Sequence, residues 1–341
     1  MTHHEERPLV TVVTPCLNPG DRLARCIESV GAQTYPRVEH VVIDGGSTDG
    51  TSEFLERSSV RWISEPDSGQ AEAINKGFEL ADGDVLGWLN ADDVLVPDAL
   101  ERVVQAMHAD PTAGWVMGDV VVTDGVTARR ERPAVVRGPR AWATRNLAAQ
   151  PGSFHPRWAL EKVGYLDESF RFMMDLDLWL RLLDEGLRWV YVPRILAIFE
   201  LHAASKSGAV SHAQFLEEEA WARLKSGRVD EAGFALGRAA AWWSAEQGSA
   251  TKGDPWTAIE QMTALRPRLR EVPKRAVAAA IAVESAILGL KRRDFLKVVA
   301  LARPSSWVHP LARARLRDVF RRELRRLAGR DRAPYDTLTV R

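Results

Sequence analysis

Four consecutive residues, Asn90-Ala91-Asp92-Asp93, follow the apolar run Val85-Leu86-Gly87-Trp88-Leu89. Adjacent carboxylates at a strand end repel each other. A hard divalent cation that draws its other ligands from phosphate and water relieves the repulsion, and magnesium and manganese bind in this way. The plain alternative is that Asp92 or Asp93 caps a helix expected to start near Pro97. Asp44 leaves a second apolar run, Val41-Val42-Ile43, and enters Gly45-Gly46-Ser47-Thr48-Asp49-Gly50. A carboxylate there can accept hydrogen bonds from a base or ribose, and the glycines let backbone approach a ligand; the same residues also make ordinary turns. A third acidic candidate lies in Met174-Asp175-Leu176-Asp177-Leu178-Trp179-Leu180-Arg181. Asp177 and Arg181 stand four apart, which fits a helix ion pair, whereas Asp175 at the helix start is either a cap or a base. His202 closes an apolar run, and Lys206 after it reads as a solvated lysine that can also neutralise phosphate.

The elements that must position these groups follow from periodicity. Short apolar runs predict strands over 9–14, 38–43, 60–63 and 84–89, and helical spacing predicts helices near 23–30, 48–57, 70–81 and 97–107. Ser47 or Thr48 is the expected cap of the second helix. Residues 116–145 read as irregular and partly β, with a helix after Met174 and a strand over 190–199. Alternating strands and helices imply an α/β fold, a Rossmann-like, mostly parallel sheet with helices on both faces. Ligands bind such sheets outside the carboxyl ends of the strands, and each polar cluster falls at such an end. After about Ser207 the pattern becomes all-helical, so a domain over 1–207 and a helical region over 208–341 are expected.

Taken together, Thr14-Pro15-Cys16-Leu17-Asn18, the run from Asp44 to Gly50, Asp67-Ser68-Gly69-Gln70-Ala71-Glu72-Ala73-Ile74-Asn75-Lys76-Gly77 and Asn90-Ala91-Asp92-Asp93 resemble the family 2 glycosyltransferases of the GT-A fold, of the bacterial cell-surface polysaccharide type. The resemblance covers roughly residues 9–207. It implies nucleotide contacts at Pro15, Asn18, Asp44, Gly69, Asn75 and Asp92, with Asp44 toward the nucleobase. It implies Mn2+ or Mg2+ held by Asp93 and Asp92, with His202 nearby, and it makes Asp175 the catalytic base in preference to Asp177. The acceptor side maps onto Gln150, Pro151, Asp177 and Trp179. Trp158 and Trp179 are candidates for a sugar platform, with core packing the expected use of each. The chain departs from the family at Asn90 and Gly45, where acids are common, so no acid role attaches to those positions.

The resemblance further implies an inverting transfer from a nucleotide-diphosphate sugar, UDP-linked by default, to a glycan or glycolipid acceptor. A sugar nucleotidyltransferase would need a basic triphosphate loop near the N-terminus, and residues 9–20 hold no Lys or Arg. A non-catalytic nucleotide-sugar-binding scaffold has no need to keep Asp44, Asp92, Asp93 and Asp175 together.

The 341 residues carry no formal net charge, but residues 266–332 hold 19 Lys/Arg against 6 Asp/Glu. Arg313, Arg315, Arg317, Arg321, Arg322, Arg325 and Arg326 crowd one predicted helix. A basic amphipathic segment of this kind suits either peripheral membrane contact or packing on the protein's own acidic body. No nucleic-acid motif accompanies it. Two cysteines build no disulfide framework, residues 1–10 lack an apolar signal core, and the run over 277–290, broken by Glu284, is too short to span a bilayer. The expectation is a cytoplasmic protein.

Overall fold

The computed structural model of the chain describes residues 7–134, 148–202, 205–206, 211–246, 255–289, 310–312 and 314–315. It divides into two units, Met1–Val210 and Ser211–Arg341.

In the first unit β1 (Val10–Cys16) is buried along its whole length, as a continuous apolar run requires of a strand covered on both faces. It lies between β2 (Val38–Asp44) and β4 (Val85–Trp88), both parallel to it, and β3 (Arg61–Ser64) extends the parallel set beyond β2. The crossovers are α1 (Arg22–Gly31), α2 (Thr51–Glu56) and α3 (Gln70–Leu80). Gly77 lets α3 press on β1, since a Cβ there would stand 2.2 Å from a Val13 methyl. The register aligns Cys16 with Asp44, Asp44 with Ser64, and Val13 with Trp88. Four strands therefore deliver their carboxyl ends to one edge.

The rest of the sheet is mixed, in the order β3-β2-β1-β4-β8-β6-β9-β5. β8 (Ser153–Pro156) runs antiparallel to both β4 and β6 (Ala113–Thr123). β9 (Arg188–Glu200) is parallel to β6, β5 (Val94–Leu95) is antiparallel to β9, and β7 (Ala128–Glu131) forms a hairpin on β6. α4 (Ala99–Ala109), α5 (Arg157–Val163) and α6 (Met174–Asp184) complete the unit. The α/β class stands as expected, with helices packed on a sheet that is parallel through β1–β4.

Two local expectations are corrected. The second helix starts at Thr51, after Gly50 at φ +89°, because Ser47 and Thr48 spend their polar groups on Asp44 and Asn18 instead of capping it. The stretch from 116 is not loose: β6 is buried from Ala113 to Val122. Its polar Asp119 is buried too, satisfied by the Tyr191 hydroxyl at 2.7 Å and by Arg130. Residues 135–147 of that stretch lie outside the described residues.

The second unit contains α7 (His212–Lys225), α8 (Val229–Glu246), α9 (Pro255–Leu265) and α10 (Lys274–Gly289), all-helical as the pattern implied. Leu216, Leu236, Met262, Leu269 and Val277 share its core. Through that core runs an ionic network. Arg223 reaches Glu219 at 2.8 Å and Glu231 at 2.6 Å, Arg238 lies 3.5 Å from Glu219 and 3.7 Å from Glu284, and Arg315 meets Glu284 at 2.9 Å. Glu284, which breaks the apolar run in the sequence, is a wholly buried anchor. Arg315 points into the network, and Arg266 pairs with Glu217 at 2.9 Å over the Trp221 ring. Arg313 and residues 316–332, where the other arginines fall, lie outside the described residues. No helix among the described residues is long and apolar enough to cross a membrane.

Candidate functional site

Asp44 ends β2 with no exposed surface. Its oxygens accept from the Ser47 N–H at 3.1 and 3.2 Å, the Ser64 hydroxyl at 2.6 Å, the Ser47 hydroxyl and the Cys16 thiol at 3.7 Å. The carboxylate therefore folds its own loop. The Ser47 hydroxyl also accepts from Asn18 N–H at 2.7 Å, and Asn18 Oδ1 accepts from Thr48 N–H at 2.8 Å. Asn18 holds φ +49°, a left-handed conformation that asparagine tolerates better than most residues. The loops after β1 and β2 are thus cross-braced, with Pro15 inside β1 and Leu17 exposed beside them. Gly45 packs close for a different reason: a Cβ there would lie 2.6 Å from the Asp67 carboxylate, which would have to turn aside. Burial, with Glu72 and Asp44 nearby, pushes the Asp67 carboxyl up, and the Gly69 backbone partly offsets this. Gly69 precedes α3 at φ +154°.

The Asp92 and Asp93 side chains part company. Asp93 is wholly buried, and its oxygens accept from Glu200 N–H at 3.2 Å and Asn90 Nδ2 at 3.1 Å. Burial first, then repulsion from Asp92, pushes its carboxyl well above the usual range. In this structure Asp93 ties the β4 end to the β9 end and has no exposed face. Asp92 keeps 23% of its side chain exposed and lies 3.0 Å through Oδ2 from His202 Nε2. His202 Nδ1 is buried and has no hydrogen-bond partner among the described residues. Neither aspartate caps α4, whose N-cap is Asp98.

A further set of contacts closes around this pair. Gln70, the first residue of α3, donates from Nε2 to Asn90 Oδ1 at 2.6 Å and accepts from Lys206 Nζ at 2.9 Å. The same ammonium lies 5.6 Å from the centre of the Phe172 ring, just ahead of α6. Asp175 is in the first turn of that helix, where its Oδ1 accepts from Leu176 N–H at 2.7 Å. The start of α3 and the residues leading into α6 thus meet the ends of β4 and β9 at one place. Gln150 joins them by donating to the Trp88 carbonyl at 2.6 Å, next to the buried Pro151.

Other expected site residues do not gather there. Asn75 spends its carboxamide on Leu166 N–H and C=O at 3.1 and 3.0 Å and on Glu168 at 2.9 Å, clasping α3 to the 165–168 loop. Asp177 is 2% exposed and bonds Arg181 at 2.8 Å. Trp179 is wholly buried, donating to Ser153 Oγ at 3.3 Å. Neither has a face for an acceptor, and the helix ion pair is what the four-residue spacing described. Trp158 follows β8, whose Pro156 pairs with Val85 at the start of β4, so it sits at the opposite sheet edge and is no sugar platform for this site. Residue type and spacing do not mark Gln70 or Phe172 as site residues, and Lys206 is held by neighbours where the pattern implies a solvated side chain.

The chain matches the family model described as glycosyl transferase family 2 over residues 11–169. It is 34% identical over 189 residues to an uncharacterized glycosyltransferase of Mycobacterium tuberculosis, covering 51% of this chain and 68% of that one. It is 34% identical over 188 residues to the O-antigen biosynthesis protein RfbC of Myxococcus xanthus, covering 52% of this chain and 14% of that one. Among solved structures it resembles S. aureus TarS 1-349 in complex with UDP-GlcNAc, with a TM-score of 0.54 at 15% identity over 94% of this chain and 92% of that one. It also resembles the mannosyltransferase PcManGT of Pyrobaculum calidifontis in complex with GDP-Man and Mn2+, with a TM-score of 0.51 at 21% identity over 93% and 88%.

Proposed function

Because the chain belongs to glycosyltransferase family 2, we propose that it moves a sugar from a nucleoside-diphosphate donor, UDP-linked by default, to a hydroxyl of a glycan or glycolipid in cell-surface polysaccharide assembly. The supporting observation is the meeting of Asp92, His202, the first turn of α3 and Phe172, just ahead of α6, on the same sheet edge as the Asp44 loop. RfbC, named for O-antigen biosynthesis, supports the polysaccharide context, and the UDP-GlcNAc bound by TarS supports the donor class.

The donor set fits a divalent cation. Asp92 Oδ2 and His202 Nε2, 3.0 Å apart, are the pair that would hold it. With no partner fixing Nδ1, the ring can carry its proton there and present Nε2 as a ligand. No group of three or more His, Cys, Asp or Glu suited to a metal occurs among the described residues, and Mg2+ and Mn2+ commonly complete their shells with phosphate and water. When bound, the cation supplies Lewis-acid stabilisation of charge on the departing diphosphate. Asp44 shapes the nucleotide loop with Asn18 and Ser47. Asp175 accepts the proton of the attacking hydroxyl, and a single displacement inverts the anomeric carbon.

The test is nucleotide release by the full chain from a panel of UDP-GlcNAc, UDP-glucose, UDP-galactose and GDP-mannose with Mn2+. One donor should turn over and EDTA should stop it. Asp175→Asn should abolish transfer while leaving UDP binding within about threefold, a split expected of a group acting only in the chemical step. Unchanged transfer by that variant removes Asp175 from the mechanism, and no binding of any panel member to the folded chain overturns the proposal.

A further inference from the structure

β9 hands the chain to His202 at the working edge. The last ladder contacts of that strand are the pairing of Thr123 with Glu200 and the bond from Leu201 N–H to the Thr123 carbonyl at 2.7 Å. His202 is therefore the first residue whose direction the sheet does not set. Ser205 sets it. The Ser205 N–H and hydroxyl both donate to the His202 carbonyl, at 2.9 and 2.8 Å, and the hydroxyl oxygen accepts from His202 N–H at 3.4 Å. A carbonyl oxygen has two lone pairs, and a hydroxyl can donate once while it accepts, so the three bonds are compatible. Both backbone polar groups of His202 are spent on one residue. That residue is buried, where water is poorly placed to replace a lost hydroxyl.

The ring is held differently. A metal-binding histidine ordinarily donates from its second ring nitrogen to a carboxylate, a carbonyl or water, and that bond fixes the direction of the ring. His202 Nδ1 is buried yet has no such partner among the described residues. Nε2 faces Asp92 Oδ2 at 3.0 Å, and this is the contact that a cation would replace. The grip on the ring is then gone, and the grip on the backbone is what remains. We propose, on the metal reading above, that Ser205 is a positioning residue: by clamping the backbone of His202 it stands in for the missing ring partner and keeps Nε2 opposite Asp92, so that the cation meets a pair already aligned. The ligand chemistry is a divalent cation accompanied by a nucleoside diphosphate. Ser205 acts through His202, since its own hydroxyl is committed both as donor and as acceptor.

The test is calorimetric titration of the full chain with UDP over a series of Mn2+ concentrations and in EDTA, on wild type, Ser205→Ala, His202→Ala and the double variant. Ser205→Ala should raise the Mn2+ concentration for half-maximal tightening of UDP about tenfold, while UDP affinity in EDTA stays within about twofold of wild type. In the His202→Ala background, Ser205→Ala should add nothing, because the serine works through that ring. Ser205→Cys has nearly the volume of serine and only a weak donor, and it carries the same comparison where Ser205→Ala does not fold. A wild-type Mn2+ profile in the serine variant overturns the inference. So does a loss that is equal in EDTA or that persists undiminished in the His202→Ala background, since either marks Ser205 as a residue of the fold alone. If wild type binds UDP equally well with Mn2+ and with EDTA, the metal reading itself falls and takes this inference with it, an outcome distinct from a Mn2+-dependent wild type with an unaffected serine variant.

Discussion

Both units of the protein bury carboxylates, but they satisfy them in opposite ways. In the helical unit Glu219 and Glu284 meet Arg223, Arg238 and Arg315. Burial works against the Glu219 carboxylate, yet Arg223 and Arg238 hold it below its ordinary range. At the strand edge Asp44 and Asp93 are equally buried, and their bonds come from serine hydroxyls, a thiol, an asparagine amide and backbone N–H groups. Neutral donors fix a carboxylate's position without cancelling its charge, whereas a guanidinium does both. The first arrangement is architecture. The second fixes carboxyl groups with neutral donors on the edge where, under the proposed function, a cation would sit.

The comparison can be broken at its strongest point by removing one member of the ionic network. Glu284→Leu leaves Arg238 and Arg315 without that partner in a buried setting and should cost the helical unit about 3–5 kcal/mol, read by urea denaturation; a loss under about 1 kcal/mol would mean the network is not a matched one. Acid should act on the other unit. His40 and His155 are buried and their pKa values fall to about 4 and about 3, in each case chiefly through burial. The unfolded chain then takes up protons below about pH 6.5 while the folded one does not, so each histidine lowers stability by about 1.4 kcal/mol per pH unit as pH drops from there toward its folded value. His155→Phe should flatten that slope by the same amount, and an unchanged slope would discount burial of the neutral ring.

Smaller effects sharpen the picture at the edge itself. Asp44→Asn keeps the shape but turns an amide NH2 toward Ser47 and Ser64, at a cost of about 1–3 kcal/mol, with weaker UDP binding by calorimetry. Asp92→Asn should change stability by less than about 1 kcal/mol, in the favourable direction if anything, because it relieves the repulsion on Asp93. It should nevertheless remove the Mn2+ dependence of nucleotide binding. A large stability loss in Asp92→Asn would make that residue structural and erase the contrast between the two acids.

The sequence pattern carried the parallel half of the sheet, because buried parallel strands are unbroken apolar runs and their ends are marked by Asp, Asn and Gly. It could not separate Asp92 from Asp93. Adjacent residues on a turn point apart, and which one turns inward depends on Glu200, whose N–H comes from a strand 107 residues away. The partners of Asn75 are equally distant in the chain, lying 91 and 93 positions along it. Asp177 was legible because its partner is one helical turn away. Local chemistry can be read in one dimension, and long-range satisfaction of a side chain cannot.

The reversed direction of β8 divides the molecule's tolerance for change. Because this strand runs against β4, the chain enters it at Gln150 over the working edge and leaves it at Pro156 on the far side. If the proposed function holds, segments grafted ahead of Gln150 would remodel what the enzyme accepts, while segments grafted after Pro156 would decorate its back. One inverted strand thus sorts the first unit into a side open to diversification of substrate and a side where new sequence is neutral cargo.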